Sequence, residues 1–466
     1  MTGRPVRDGT LIWLGTLGVA LVVLTACGLG AHLPGAADPG SDTRQALFVL
    51  AGLAATAAYL LAAWRVLREP GPPRAVWFVL GAALVMRLMV LAAPPFLSSD
   101  LYRYVWDGRV QLAGINPFRY VPADPALASL RDEAIYPHID RAYYAHTIYP
   151  PAAQLVFRAI SAIRQTDTAE RAAMLGFDLL AILLMMRLLG LAGQDRARVL
   201  IYAWNPLSVW EFAGNGHVDA VAIALLAAAM LARTRGRGRG TLAATAAGVA
   251  LGAAALVKFL PLAAAPAFWR PQDSRRWRDW TVPAATVATM ALLYLPFLSG
   301  NADLLGFLPG YAAEEGFGSG RAIFWLDAFA RIVPLPAAAG VIWLAAAAIA
   351  LIGTGLWMTL IRPPPRAGDP VPLARDVALL GTLLTLAVTP HYPWYFVWLA
   401  LPSCLAPMPA TILLSAIPIL QYHDPYRDRV LQFGQIYLPV IVVWAVWAWR
   451  GRTHRAAPSE AAVRSL

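Results

Sequence analysis

Apolar runs long enough to cross, or nearly cross, a bilayer recur from one end of this chain to the other. They fall at 10–31, 46–64, 75–97, 172–192, 199–213, 218–231, 241–257, 259–269, 280–298, 339–361, 377–388, 394–406, 410–420 and 435–449. Runs of this kind read as membrane helices. The predicted fold is therefore all-α, a polytopic transmembrane helical bundle of about 12 to 14 spans. Two further apolar pieces, 151–163 and 322–334, read as re-entrant or interfacial helices. Composition agrees: only 14% of residues are charged, where a soluble chain needs roughly a quarter to cover its surface. The 37 prolines and 36 glycines are tolerated in membrane helices.

The net charge of +11 suggests nucleic acid at first sight. The arginines instead sit in short clusters between apolar runs, as the positive-inside rule produces, so no nucleic-acid partner is expected. Arg4 and Arg7, Arg65 to Arg74, Arg233 to Arg239, Arg270 to Arg278, Arg362 to Arg375 and Arg450 to Arg455 mark the inside. The alternation closes if 151–163 does not cross. Both termini then lie in the cytoplasm, and residues 451–466 form a short flexible cytoplasmic tail after a single transmembrane domain, 1–450. Leu24 to Cys27 resembles a lipoprotein cleavage box. The apolar run continues to Leu33, too long for a signal core, so this segment reads as a first membrane helix. Cys27 and Cys404 are the two cysteines, which excludes a disulfide framework.

The opposite face holds a different kind of sequence. Residues 98–149 form a long outer loop with five Arg, six acidic residues and seven Tyr. A loop of that length is functional or disordered, and its aromatic content argues for function. Asp100, Arg103 and Asp107 share one face if Ser98 to Arg109 is helical. A carboxylate there is either a base for acid–base work or a solvated interfacial charge. Tyr149 precedes Pro150-Pro151, which is ordinary helix-start chemistry. Trp204-Asn205-Pro206 interrupts a span and leads to Glu211, His217 and Asp219. Lys258 is the only lysine in a chain whose other fixed cations are all Arg, and a compact ammonium differs from a guanidinium fork. His391 stands between two prolines at another outer turn. No Walker A pattern is present, so an enzyme of this kind draws an activated substrate from the membrane itself.

The ordered set of Ser99-Asp100-Leu101-Tyr102, Tyr149-Pro150-Pro151, Asn205-Pro206, Lys258 to Pro261 and His391 to Tyr395 resembles the integral-membrane glycosyltransferases of the C-type fold. The likeness is to polyprenyl-phosphate-mannose-dependent mannosyltransferases, bacterial ones and the first mannosyltransferase of GPI-anchor synthesis. It implies inverting transfer of a hexose, mannose by preference, from a polyprenyl-phosphate sugar to a glycan or glycolipid acceptor. It further implies catalysis at the periplasmic or extracellular face of a bacterial plasma membrane. Asp100 matches the acidic motif and takes the role of base. Lys258 and Arg103 are candidates to meet the leaving phosphate, followed by Arg109 and Arg321. Asp107 would position an arginine, and Tyr149, His217 and His391 would bind substrate. No cofactor beyond the lipid donor is implied. Ser98 stands two before Asp100, so an Asp-x-Asp pattern is absent and the need for a divalent metal stays open. The rival is a secondary transporter or flippase for a sugar or lipid-linked sugar, which predicts inverted repeats and charges near the bilayer midplane.

Overall fold

Ala- and Leu-rich runs with few charges form helix almost throughout, because helix is the one local conformation that satisfies every backbone group within the run. The computed structural model describes residues 8–31, 41–234, 240–269, 277–298, 303–363 and 368–456, and these contain no strand. The helices are α1 (Asp8–Gly30), α2 (Ser41–Arg68), α3 (Ala75–Ala92), α4 (Asp100–Leu112), α5 (Pro151–Ile163) and α6 (Asp167–Leu191). They continue as α7 (Asp219–Thr234), α8 (Thr241–Val257), α9 (Thr281–Tyr294), α10 (Ala339–Leu356), α11 (Pro370–Val388) and α12 (Arg429–Ala456). Shorter helical pieces link them.

The chain is an integral membrane protein. Among the described residues, eight helices are long and apolar enough to cross a bilayer. A ninth span follows if Pro206–Gly214 and α7, bent by 118°, count as one. The 12 to 14 spans expected from sequence counted several short runs separately. Two of them, 199–213 and 218–231, belong largely to the bent unit. Two more, 394–406 and 410–420, are short α and 3-10 pieces. The 13-residue α5 is about 20 Å long, short of the roughly 30 Å hydrocarbon core. Residues 457–466, most of the proposed tail, lie outside the described residues.

The bent unit is built by three local devices. Pro206 cannot extend the preceding ladder, and the Asn205 side chain caps the restart by accepting from Leu207 N at 3.0 Å. The Asn205 amide also donates to the backbone and hydroxyl oxygens of Ser415 at 3.0 Å. A π-helical turn, Val209–Gly214, follows. Gly216 then adopts φ +71°, a conformation that glycine reaches without a Cβ penalty. The result delivers Glu211, His217 and Asp219 to the end of the bundle where α8 finishes at Lys258.

Close packing supports this frame. Gly248 and Gly252 of α8 lie one turn apart, and a Cβ on either would sit 2.6 Å from a backbone oxygen of α9. Such small-residue spacing lets membrane helices approach backbone to backbone. Deeper in the bundle, Arg87 of α3 is fully buried and paired with Asp178 of α6. Its guanidinium also donates to Ala203 O at 2.7 Å and Ser208 Oγ at 3.1 Å, while Tyr202 OH donates to Asp178 at 2.7 Å. Every charge here is paired across α3, α6 and the broken segment. Asp178→Ala strands the guanidinium without its counter-charge. It is expected to cost about 3 to 5 kcal/mol, seen as a large fall in the thermal midpoint of detergent-purified protein.

Candidate active site

The C-terminal ends of α3 and α8 and two connecting segments, 98–149 and 303–323, meet around a cavity of about 420 Å³. Asp100 enters it as the first residue of α4. Ser98 Oγ accepts from Asp100 N at 3.2 Å and ties down the helix start. Asp100 Oδ2 accepts the Tyr149 hydroxyl at 3.1 Å. Tyr149 is aimed there by Pro150, extended at φ −66° and ψ 167°, and by Pro151 opening α5. About a third of the Asp100 side chain is exposed, 32%, and it faces the cavity. Enclosure by protein pushes the carboxyl pKa upward, and the nearby Lys258 charge and the Tyr149 hydrogen bond only partly offset that push.

Lys258 stands just past α8 in extended conformation, φ −152° and ψ 140°. Its ammonium donates to Asp219 Oδ2 at 2.6 Å and lies 4.4 Å above the Tyr395 ring and 5.9 Å above Trp394. A second cation lines the cavity, Arg141. Its backbone is left-handed, φ 54°, and it donates to Asp140 at 2.8 Å and Glu314 at 2.9 Å.

His391 closes another side. Its Nδ1 is 2.9 Å from Glu315 and its Nε2 is 2.7 Å from Ala322 O. Both partners are acceptors, so satisfying both takes a proton on each ring nitrogen. Burial raises the Glu315 carboxyl pKa, but the bond and charge of His391, with the Tyr392 hydroxyl, outweigh it and hold the group below its ordinary range. This pairing anchors segment 303–323, which carries Glu315 and Ala322, at the cavity. That segment also docks on the first through Gly306, φ +55°, where a Cβ would clash with Thr147 O.

Of the residues singled out from sequence, Asp100, Tyr149, Lys258 and His391 line one cavity. The others do not. Arg103 donates to Asp107 at 2.8 Å and to Ala145 O at 3.1 Å. Asp107 further accepts from Thr147 at 2.5 Å and Gln154 at 2.9 Å. The pair is a buried knot that fastens the outer loop to α4 and α5. Arg109 is held by Gln165, Leu130 O and Asp132. Arg321 is exposed and reaches Ser319 at 3.4 Å. His217 is fully buried behind Asp100, its Nδ1 3.8 Å from the carboxylate. Sequence reasoning missed Arg141, Tyr311, Gln421 and Tyr422. Arg141 was one of five arginines in the loop with no spacing to mark it. Gln421 and Tyr422 follow the apolar run 410–420 with no motif to mark them. Among the described residues no three His, Cys, Asp or Glu side chains group closely enough to hold a metal ion.

The family model for "Alpha-(1->6)-mannopyranosyltransferase, N-terminal domain" matches residues 12–269, just over half of the chain. The chain belongs to this family. Comparison with curated proteins and with solved structures found no match. The match makes this membrane protein a mannosyltransferase of the C-type fold and sets the transporter alternative aside. It covers the part of the mannosyltransferase that carries Asp100, Arg141, Tyr149, His217, Asp219 and Lys258. The remaining wall, with His391, Tyr392, Trp394, Gln421 and Tyr422, comes from beyond the matched region.

Proposed function

We propose that this mannosyltransferase moves mannose from a polyprenyl-phosphate donor to a hydroxyl of a glycan or glycolipid acceptor, with inversion at the anomeric carbon. The reaction takes place at the outer face of a bacterial plasma membrane. The observation that carries this reading is a carboxylate with no cation bonded to it, Asp100, sharing a cavity with two cations, Lys258 and Arg141. Asp140, the other carboxylate of the lining, is tied to Arg141. A sugar hydroxyl holds its proton at neutral pH, so it attacks only as a base removes that proton. Asp100 is that base. The leaving group is a lipid phosphate whose growing charge needs cations aimed at it, and Lys258 and Arg141 supply them. Tyr311 and Tyr392, which line the cavity, offer aromatic rings for sugar stacking.

The sidedness rests on charge. Asp100 follows the end of α3 opposite to the one that adjoins Arg65, Arg68 and Arg74, the end expected in the cytoplasm. Purified protein supplied with radiolabelled mannose on polyprenyl phosphate is expected to transfer it to a mannan acceptor, and to leave a nucleotide-activated mannose unused. Transfer from the nucleotide donor and none from the lipid donor overturns the reading.

The raised pKa of Asp100 gives a pH signature. Only the deprotonated carboxylate acts as base, so activity is lost as pH falls through the folded-state pKa. That value lies above the ordinary aspartate value of about 3.9, so the acid limb of kcat is expected above that pH. A profile of kcat against pH on purified enzyme checks it, and a limb at or below the ordinary value contradicts it.

A further inference from the structure

Behind the base lies an imidazole that substrate cannot reach. His217 is fully buried and stacked on Trp394, ring centroids 3.9 Å apart. Its Nδ1 is 3.8 Å from Asp100 Oδ2 and 3.5 Å from the Tyr104 hydroxyl. Its Nε2 is 3.5 Å from Glu211 Oε2 and has no hydrogen-bond partner. Glu211 is also fully buried. Its carboxylate accepts from Asn215 at 2.9 Å and from the Tyr422 hydroxyl at 2.5 Å, and Tyr422 lines the cavity. The elements around the ring present these ionisable groups: Asp100 and Tyr104 from α4, Glu211 from the π turn, and Asp219 of α7 locked to Lys258 of α8.

We propose that Asp100, His217, Glu211 and Tyr422 form a proton relay that clears the base while substrates fill the cavity. The proposal rests on Asp100 being the base. As the acceptor oxygen bonds to the anomeric carbon, the carbon–oxygen bond to phosphate breaks and its electron pair leaves with the phosphate. The acceptor proton moves to Asp100. With donor and acceptor in place, that carboxyl is shut off from bulk water. It passes the proton to His217 Nδ1, and the ring gives its Nε2 proton to Glu211. The Tyr422 hydroxyl turns its own proton from Glu211 toward the cavity, releases it to product phosphate or water, and takes the Glu211 proton in its place. Each station takes up one proton and passes on one, and the cycle closes when a flip of the His217 ring returns its proton from the Asp100 side to the Glu211 side. The gaps of 3.5 and 3.8 Å are longer than a working hydrogen bond, as catalytic contacts commonly are before substrate tightens them.

A merely packed histidine leaves no polar nitrogen unpartnered between two carboxylates, because an unmade buried bond costs stability. In this relay His217 acts as a positioning residue, fully buried and outside the cavity lining, in place of the substrate-binding role expected from sequence. The test compares wild type with Glu211→Gln and His217→Gln, reading kcat, donor KM and thermal midpoint between about pH 6 and 9. Both variants are expected to lose about tenfold or more in kcat at the lower pH, with donor KM unchanged and the double variant no worse than either single one. The deficit shrinks as pH rises, because Asp100, reopened to water once product leaves, then loses its proton to solvent without the relay. A wild-type kcat in Glu211→Gln, or a loss equal at every pH, overturns the relay. Should Glu211→Gln fail to insert, Tyr422→Phe keeps the ring, removes the outlet and is read the same way. An Asp100→Asn enzyme measured alongside separates the two ideas. If it is inactive while Glu211→Gln is normal, the relay alone fails; if it is active, the base assignment fails.

Discussion

Asp100→Asn is expected to lower the transfer rate of purified enzyme by about 10²- to 10⁴-fold, the usual worth of a general base. The amide keeps the shape of the side chain and can still accept from Tyr149, so the cavity and donor binding persist. The loss therefore appears in kcat, with donor affinity near that of wild type, when both are measured on the same preparation. Asp107→Asn provides the contrast. Asp107 is buried in the knot with Arg103, Thr147 and Gln154, so its loss shows as a lower thermal midpoint with residual chemistry in whatever protein remains folded. An active Asp100→Asn enzyme contradicts the assignment.

Lys258→Ala is expected to cost about 10²-fold or more in kcat, because a cation aimed at a departing phosphate acts on charge that develops in the transition state. The structure adds a complication that the test must resolve. Lys258 also neutralises Asp219 at 2.6 Å, so its removal leaves a buried carboxylate unpaired, which is destabilising in itself. The double variant Lys258→Ala with Asp219→Asn removes that burden. Stability returns in the double variant while kcat stays low if Lys258 serves the phosphate. Lys258→Arg recovers part of the rate, since a planar fork cannot occupy the space of a point charge over Tyr395. Full activity in the double variant assigns Lys258 to structure alone.

The parts of this molecule that sequence made legible are those set by local rules. Apolar length and arginine clusters yielded helices and a sidedness hypothesis. Asp100, Tyr149 and His391 stood out because each sits beside a proline or at a helix end, where the chain must turn, and Lys258 because it is the only lysine. What sequence did not reveal depends on tertiary placement. Helical spacing put Arg103 and Asp107 on one face with Asp100. It cannot say that the outer loop folds back and buries that part of the face through Thr147 and Ala145. The same loop carries Arg141 into the cavity by a left-handed backbone turn, a feature with no periodic signature. Span counting overshot for a related reason. Residues 199–231 read as two membrane runs, while Pro206 and Gly216 fold much of that stretch into one bent unit whose break supplies Glu211, His217 and Asp219.

The central claim is a single displacement of lipid phosphate in this cavity, with Asp100 on the attacking oxygen and Lys258 and Arg141 on the departing one. Anomeric configuration tests it most directly. The family forms an α-(1→6) linkage, so a single displacement requires a donor whose mannose is β-linked to phosphate. Purified enzyme given synthetic β-linked and α-linked mannosyl phosphates on the same polyprenol should convert the β-linked donor alone, with NMR of the product reporting an α-mannoside. Conversion of the α-linked donor into an α-mannoside means retention of configuration, and contradicts the account.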